Sequence, residues 1–465
     1  MLPVRDIAQS PSSQQSQKMT AAAIIIEIFI LNYNGSSFLV ECLNSLQELD
    51  LSEMNVCIVV ADNASTDSSA GIVAEYPGVI WLPLGRNWGF AQGNNVAVAK
   101  RTLQRKLQGV ADPDYLIFLN NDVEVDAGWL KALLAPLIES ESIGLVGAKA
   151  VFYDSFVRMQ ISTKPLPGSL SSEPLYPHIG LAIGDSSYPA ILKKGRIKCV
   201  EGISLDQAGG WCLDSEASCL IPVYHDSQTE VTFILSAEHS EVGALVSFEV
   251  AGEVLMNVKV EARKQSEVSL QIPKGAARTF IQNAGSFVRR GLIAGDRGFM
   301  EEDCGQFEKV EDVAAICGAS LAIRAGLFKR LGGFSKDYFA YYEDIDLSLR
   351  ARLAGYRCVY APSAILKHVH AGSGVEGSFY FNQTVAQSRT MFLSRYASSA
   401  HFWGRCFKEL LLSLQELLSS KKELAKSCPH SCALLNSMGK SPQILKNRLL
   451  YWAKFYFWRI PKLLE

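Results

Sequence analysis

Three things are missing from this chain of 465 residues: a C-x-x-C cysteine pair, an excess of charge of either sign, and an apolar run long enough to cross a bilayer. Each absence removes a class of function. With 45 Lys and Arg against 47 Asp and Glu the net charge is -2, so the chain offers no basic field for a nucleic acid. The eleven cysteines are odd in number, scattered and without a C-x-x-C pair. Neither a disulfide framework nor a zinc ribbon is expected, and a reducing, cytosolic setting is the economical reading. The most apolar stretch, AAAIIIEIFIL at 21–31, is too short for a membrane span and contains Glu27, so it reads as a buried strand. Residues 1–22 are rich in Ser and Gln, lack an apolar core, and read as a disordered tail instead of a signal peptide.

What is present is alternation. From residue 23 to 154 the apolar runs IIIEIFIL, VCIVVAD and YLIFLNND end near 31, 62 and 122, with helical stretches between them. That pattern predicts a parallel sheet with crossover helices, in which ligands bind beyond the carboxyl ends of the strands. The stretches found there, NYNG, ADNASTD and NNDVEV, are polar and agree with one shared site. Between 155 and 280 a Pro/Gly/Ser-rich segment leads into CLIPVY, TEVTFILSA, ALVSFEVAG, EVLMNVKVEA and EVSLQIP. These short, often alternating runs predict an inserted antiparallel β-sandwich. The α/β character resumes over 281–372. Residues 373–465 read as a basic helical region, with eleven Lys and Arg against four Glu from residue 400 onward. Within it, NRLLYWAKFYFWRIPKLL (447–464) interleaves basic and aromatic side chains, a composition that suits either docking on the protein or the surface of an anionic membrane.

Four stretches have the residue types for chemistry. In ADNASTDSS, Asp62 at a strand end either turns the chain or accepts the N3–H of a uracil or thymine ring, and it cannot separate the two bases. In NWGFAQGNN the glycines at 89 and 93 read as a surface turn or as a close approach of backbone to a phosphate or ribose. In FLNNDVEV, Asp122 is the obvious oxygen ligand for a hard divalent cation, with Asn120 and Glu124 nearby. His368 in LKHVHAGSG is a candidate second ligand, with His370 equally available.

The fourth stretch is YYEDIDLSLRARLAGY, residues 341–356. Ile345, Leu349 and Leu353 recur every four residues, Asp346 can pair with Arg350, and Gly355 sits where a helix ends, so a helix is predicted from about residue 344. Acids in its first turn favour the helix dipole and one of them is a natural cap. Three acids exceed that need and leave room for catalysis.

Taken in order, ILNYNG, VVADNASTDSS, NWGFAQGNN, FLNNDVEV and GGFSKDYFAYYEDIDLSLRARLAGY resemble the family 2 glycosyltransferases of the GT-A fold, in particular the rhamnosyltransferase-like bacterial branch. The resemblance covers roughly 24–154 and 281–372. It implies a metal-dependent, inverting transfer of a sugar from a UDP or dTDP donor to a glycan or lipid-linked acceptor hydroxyl. The expected location is cytoplasmic, and the basic aromatic tail at 447–464 suits peripheral attachment to the inner membrane face. By motif, Tyr33 and Asp62 would hold the base, with Asn87, Gly93, Asn94 and Asn121 lining the donor site. Asp122 and His368 would hold Mg²⁺ or Mn²⁺, and of the acidic pair Glu343 and Asp344 the aspartate would be the general base. Phe339, Tyr341 and Tyr342 offer sugar-stacking faces or core packing. The sequence departs from the family at Asn120 and Asn121, amides where carboxylates are usual, which implies weak or donor-dependent metal binding.

Two other classes remain. A nucleotidyltransferase needs a basic glycine-rich loop by its first strand, and ILNYNG has no Lys or Arg. A non-catalytic glycan-binding protein would fit the insertion, but not the joint presence of Asp122, Glu343, Asp344 and His368.

Overall fold

The computed structural model describes residues 24–51, 54–166, 178–180, 198–205, 211–223, 229–236, 243–290, 292–369, 379–398 and 404. The tail at 1–22, His370 and the basic stretch 447–464 lie outside the described residues.

The apolar run read as a buried strand is β1 (Ile24–Asn32), and its alternation is hidden inside a continuous apolar stretch. Ile26, Ile28 and Ile30 enter one core while Phe29 enters a second core on the opposite face. Burial of both faces is what a strand central to an α/β sheet requires. Glu27 is also buried there, and its Oε1 lies 2.8 Å from both Arg101 and Arg105. Those arginines come from a long helix on that face, which explains how an acid is tolerated inside the run.

The strands β2 (Met54–Asp62), β3 (Val79–Pro83) and β4 (Tyr115–Asn120) complete a parallel set with β1, interleaved with helices α1 (Ser36–Gln47), α2 (Ser69–Ala74) and α3 (Gly89–Gln108). β5 (Val123–Val125), α4 (Trp129–Glu139) and β6 (Ile143–Phe152) follow. The sequence pattern did not reveal β3 or β6. β3 is short, and β6 is buried along its whole length with no alternation to read.

Residues 155–272 form a second sheet with its own core. Its strands are β7 (Ser155–Pro165), β8 (His178–Gly180), β9 (Lys198–Leu205), β10 (Trp211–Val223), β11 (Thr229–Ser236), β12 (Ala244–Val250), β13 (Glu253–Val260) and β14 (Gln265–Ile272). Every pairing is antiparallel. Alternate residues, Val157, Met159 and Ile161 of β7 or Val246, Phe248 and Val250 of β12, meet in one core. The expected sandwich is thus a single eight-stranded sheet folded over on itself, with β13 and β14 in contact.

The chain re-enters the first sheet through β15 (Ile281–Asn283), followed by the hairpin β16 (Ser286–Arg289) and β17 (Ile293–Asp296), then β18 (Glu311–Asp312) and β19 (Ser320–Arg324). Helices α5 (Ala325–Leu331) and α6 (Glu343–Leu353), strand β20 (Arg357–His368) and helix α7 (Phe379–Tyr396) close the described chain. The first sheet runs β18-β20-β6-β19-β4-β1-β2-β3, with β15 on β6 and β5 on β20. The strands read as a parallel sheet, β1 to β4, are parallel, and β19 from the returning segment lies antiparallel between β4 and β6, so the sheet as a whole is mixed. Among the described residues no helix is long and apolar enough to cross a membrane.

Candidate active site

Three parallel strands end side by side, and polar residues tie their ends together. Asn121 Nδ2 donates to Asn32 Oδ1 at 2.8 Å, and Asn32 Nδ2 donates to Ser65 Oγ at 3.1 Å. The Asp62 carboxylate accepts from Ser65 N at 3.1 Å, so this acid does turn the chain. Between them a Cβ on Gly35 would sit 2.0 Å from Asn121 Nδ2, which leaves glycine as the residue that fits. Asp62 and Asn121 are buried in this seam, whereas Tyr33 stands exposed beside it.

The glycine-rich stretch is arranged differently from its sequence reading. Asn87 Oδ1 accepts from Gly89 N at 2.9 Å and from Asn63 Nδ2 at 3.1 Å, which folds the loop back on the end of β2. α3 begins already at Gly89, so Gly93 and Asn94 are helical. A Cβ on Gly93 would lie 2.8 Å from Leu31 Cδ1, so this glycine permits close helix-to-strand packing. The positive-φ glycine is Gly89 (φ +73), where a Cβ would fall 2.4 Å from Phe339 O. Phe90 N donates to that same oxygen at 2.7 Å, joining this loop to the segment before the acids. Asn94 Nδ2 donates to Phe90 O, and its buried Oδ1 has no hydrogen-bond partner.

At the other end of the site, His368 Nε2 lies 3.1 Å from Asp122 Oδ1 and 3.2 Å from Asn120 Nδ2. β20 brings them together, since it pairs with β5 so that His368 stands opposite Val123. Glu124, expected near Asp122, is engaged elsewhere: its carboxylate accepts from Tyr153 OH at 3.0 Å and pairs with Lys367 at 3.3 Å. Asp122 lies in the turn before β5 and Glu124 within the strand, so the period-two register that would put them on one face does not hold across the two. Among the described residues no three His, Cys, Asp or Glu side chains form a metal cluster.

The three acids of the helix start have three separate environments. α6 begins at Glu343, one residue earlier than expected, after two consecutive left-handed residues, Tyr341 (φ 68) and Tyr342 (φ 66). No side chain caps it, so the capping role expected of an acid is not taken up. Asp344 is partly exposed, and its Oδ2 accepts from Gly318 N at 2.7 Å while Oδ1 accepts from Ile345 N at 2.7 Å. Burial pushes its carboxyl up to about 6 despite those two hydrogen bonds, with the charge of Asp296 adding to the rise. Glu343 is buried with Oε2 unpartnered, and burial followed by the charge of Asp344 holds its carboxyl well above the usual range. Burial and the neighbouring carboxylate thus both favour its protonated form. Asp346 is fully buried and pairs with Arg350 at 2.7 Å and Arg395 at 2.6 Å, while Tyr396 OH donates to it at 3.0 Å.

That last set contains residues the sequence did not single out. α7 braces the acidic segment: Arg395 also pairs with Asp337 at 2.7 Å, Ser388 Oγ donates to Ala340 O at 2.7 Å, and Phe392 packs 5.3 Å from Tyr342. Arg389, on the same helix, acts electrostatically on Tyr342 and has a buried Nε without a hydrogen-bond partner. Of the three aromatics, Tyr342 belongs to the core, while Phe339 and Tyr341 are exposed. Leu353, expected on the apolar stripe, is 78% exposed, and the buried face of α6 runs instead through Ile345, Leu347, Ser348 and Ala351. Arg395→Ala should accordingly destabilise the protein by roughly 1–3 kcal/mol in urea unfolding, discounted because Arg395 is about a third exposed and Arg350 remains on Asp346.

The matches to known proteins follow this geometry. The family described as Glycosyl transferase family 2 matches residues 27–188, and Glycosyl transferase family group 2 matches residues 270–405, which takes in every element named above as lining the site. The chain belongs to the family 2 glycosyltransferases. Its first sheet with the flanking helices is the GT-A fold that the motifs implied.

This family 2 glycosyltransferase is 43% identical over 61 residues to the N-acetylglucosaminyl-diphospho-decaprenol L-rhamnosyltransferase of Mycobacterium tuberculosis, a stretch covering 13% of this chain and 20% of that protein. It is 48% identical over 46 residues to the rhamnosyltransferase WbbL of Escherichia coli K12, covering 10% and 17% respectively. The match thus spans a fifth or less of the length of these curated relatives. The crystal structure of GalNAc-T7 with UDP, GalNAc and Mn²⁺ aligns with 82% of this chain and 52% of its own at 13% identity, with a TM-score of 0.42.

Proposed function

We propose that this glycosyltransferase moves a rhamnose-like or other hexosyl group, with inversion, from a UDP or dTDP donor to a hydroxyl of a glycan or lipid-linked acceptor. The observation that carries the reading is Asp344. Its carboxylate is oriented by two backbone N–H groups at the start of a rigid helix, partly open, and raised to about 6, near the working range of a general base. Inversion is a single in-line displacement, so one carboxylate takes the acceptor proton as the hydroxyl oxygen attacks. Burial of Glu343 and the adjacent Asp344 charge favour its protonated form, which disfavours a second negative charge at that position. The names of the two curated relatives support a rhamnose-like sugar, and one of them supports a lipid-linked acceptor.

At the opposite end, the donor set fits a divalent cation of the Mg²⁺ or Mn²⁺ kind: one carboxylate oxygen of Asp122 and one imidazole nitrogen of His368, 3.1 Å apart and both buried. Bound there it would offset the charge of the diphosphate. With only two such side chains, the remaining positions fall to water and to donor phosphate oxygens, the usual situation for Mg²⁺ in nucleotide sites. In this reading Asp62 and Tyr33 hold the base, and Asn87, Gly93, Asn94 and Asn121 line the donor site.

The test is a screen of purified protein against UDP- and dTDP-sugars, scored by release of nucleoside diphosphate in slow hydrolysis. Release marks a transferase; a glycan-binding protein or a nucleotidyltransferase releases none. The pH dependence is also fixed in sign. Because the base works as a carboxylate, kcat/KM should fall about tenfold per pH unit below about 6 and level off above it. A profile flat down to pH 4.5 would remove Asp344 from the role.

A further inference from the structure

We propose that Gln282 is a positioning residue that fixes the tautomer of His368. This rests on the reading of His368 as a cation ligand, but its central measurement does not. Gln282 lies in the middle of β15, the first strand after the inserted sheet, and is 5% exposed. β15 pairs with the end of β6, whose Phe152 stands opposite His368 of β20, so the three strands place Gln282 Oε1 2.7 Å from His368 Nδ1.

Of the two neutral tautomers the neighbours select one. An amide oxygen only accepts, so the Nδ1 facing it carries the hydrogen, and Nε2 is left with a lone pair. Asn120 Nδ2, 3.2 Å from Nε2, is a donor and agrees with that lone pair. Asp122 Oδ1, 3.1 Å from the same Nε2, is then an acceptor facing an acceptor, an arrangement that a positive charge between them relieves. In the opposite tautomer Nε2–H would donate to Asp122 and occupy both ligands at once. Gln282 thus decides whether His368 and Asp122 are open to a cation or closed on each other. Partners that orient a ligating histidine in this manner are worth roughly 10–100-fold in metal affinity.

The strand that carries Gln282 is anchored at the root of the inserted sheet. Phe152 N donates to Phe280 O at 2.9 Å, Phe156 and Arg278 exchange both backbone hydrogen bonds at 2.8 and 2.9 Å, and Tyr153 N donates to His368 O at 3.0 Å. Both stems of the insertion therefore abut the histidine, one at its backbone and one at its ring.

The experiment is nitrogen NMR of the full chain labelled at histidine, with His368 assigned from a His368→Gln spectrum, alongside Mn²⁺ binding measured by electron paramagnetic resonance with the metal alone. Wild type should show His368 as the Nδ1–H tautomer. Gln282→Leu, which removes the acceptor, should shift it toward Nε2–H and weaken Mn²⁺ binding by roughly 10–100-fold. Gln282→Glu, which restores an acceptor, should return both. An Nε2–H tautomer in the wild type overturns the proposal without any variant, and so does an unchanged tautomer in folded Gln282→Leu. If the tautomer behaves as expected and the wild type binds no Mn²⁺ even with UDP added, the positioning role stands and the cation reading fails.

Discussion

Asp344→Asn is expected to lower sugar transfer by roughly 10²–10⁴-fold while leaving donor binding intact. The substitution keeps the size of the side chain, and its one amide oxygen can still accept from either Gly318 N or Ile345 N, so the segment loses one hydrogen bond together with the ability to take a proton. The same variant should be slightly more stable than wild type above pH 7. The carboxyl is raised in the folded state to about 6, so between the usual carboxylate value and 6 the folded protein holds a proton that the unfolded chain has released. Stability from this group is complete below the unfolded value and is lost as pH rises through 6. An asparagine never ionises and escapes that loss, a trade of stability for activity common at catalytic sites. Donor binding by titration and a thermal midpoint at pH 7.5 separate this from simple damage: a variant that loses turnover, donor binding and stability together would point to a structural role for Asp344.

The contrast among the three acids shows how far the sequence could be read. Composition and periodicity placed the helix, the Asp346–Arg350 pair and the glycine at its end, because each depends on neighbours within one or two turns. The same window could not separate Asp344 from Asp346. One is partly open and held by Gly318 N, the other is sealed beneath Arg395 and Tyr396, and those partners lie 26, 49 and 50 residues away. The order of the motifs carried the family and the fold, because the combination is specific where each motif alone is weak. Gly93 and Gly89 illustrate the remaining limit. Both glycines stand in one polar stretch, and only packing against Leu31 on one side and Phe339 O on the other tells which one the loop requires. Gln282 left no signal at all, since its role arises from two strand pairings made after an insertion of more than a hundred residues.

Chelation is expected to reduce transfer by more than about 100-fold, with Mn²⁺ or Mg²⁺ restoring it, and His368→Ala should raise the metal concentration needed for half-maximal rate. The amides at Asn120 and Asn121 give this prediction its particular form. Asn121 is engaged with Asn32, and Asn120 faces His368 through its Nδ2, so neither supplies a charge to a cation. Two protein ligands alone bind Mg²⁺ weakly, and affinity must then come largely from the donor phosphates. Linkage makes that quantitative: the factor by which UDP or dTDP tightens Mn²⁺ equals the factor by which Mn²⁺ tightens the nucleotide, and both should be well above tenfold. Calorimetric titration of each ligand in the presence and absence of the other measures the two factors independently. Equal and large factors, lost together in Asp122→Asn, would place the cation between Asp122 and the diphosphate. A transfer rate indifferent to chelator, with nucleotide affinity unchanged by Mn²⁺, would mean that Asp122 and His368 serve the fold and that the diphosphate charge is met without a cation at this pair.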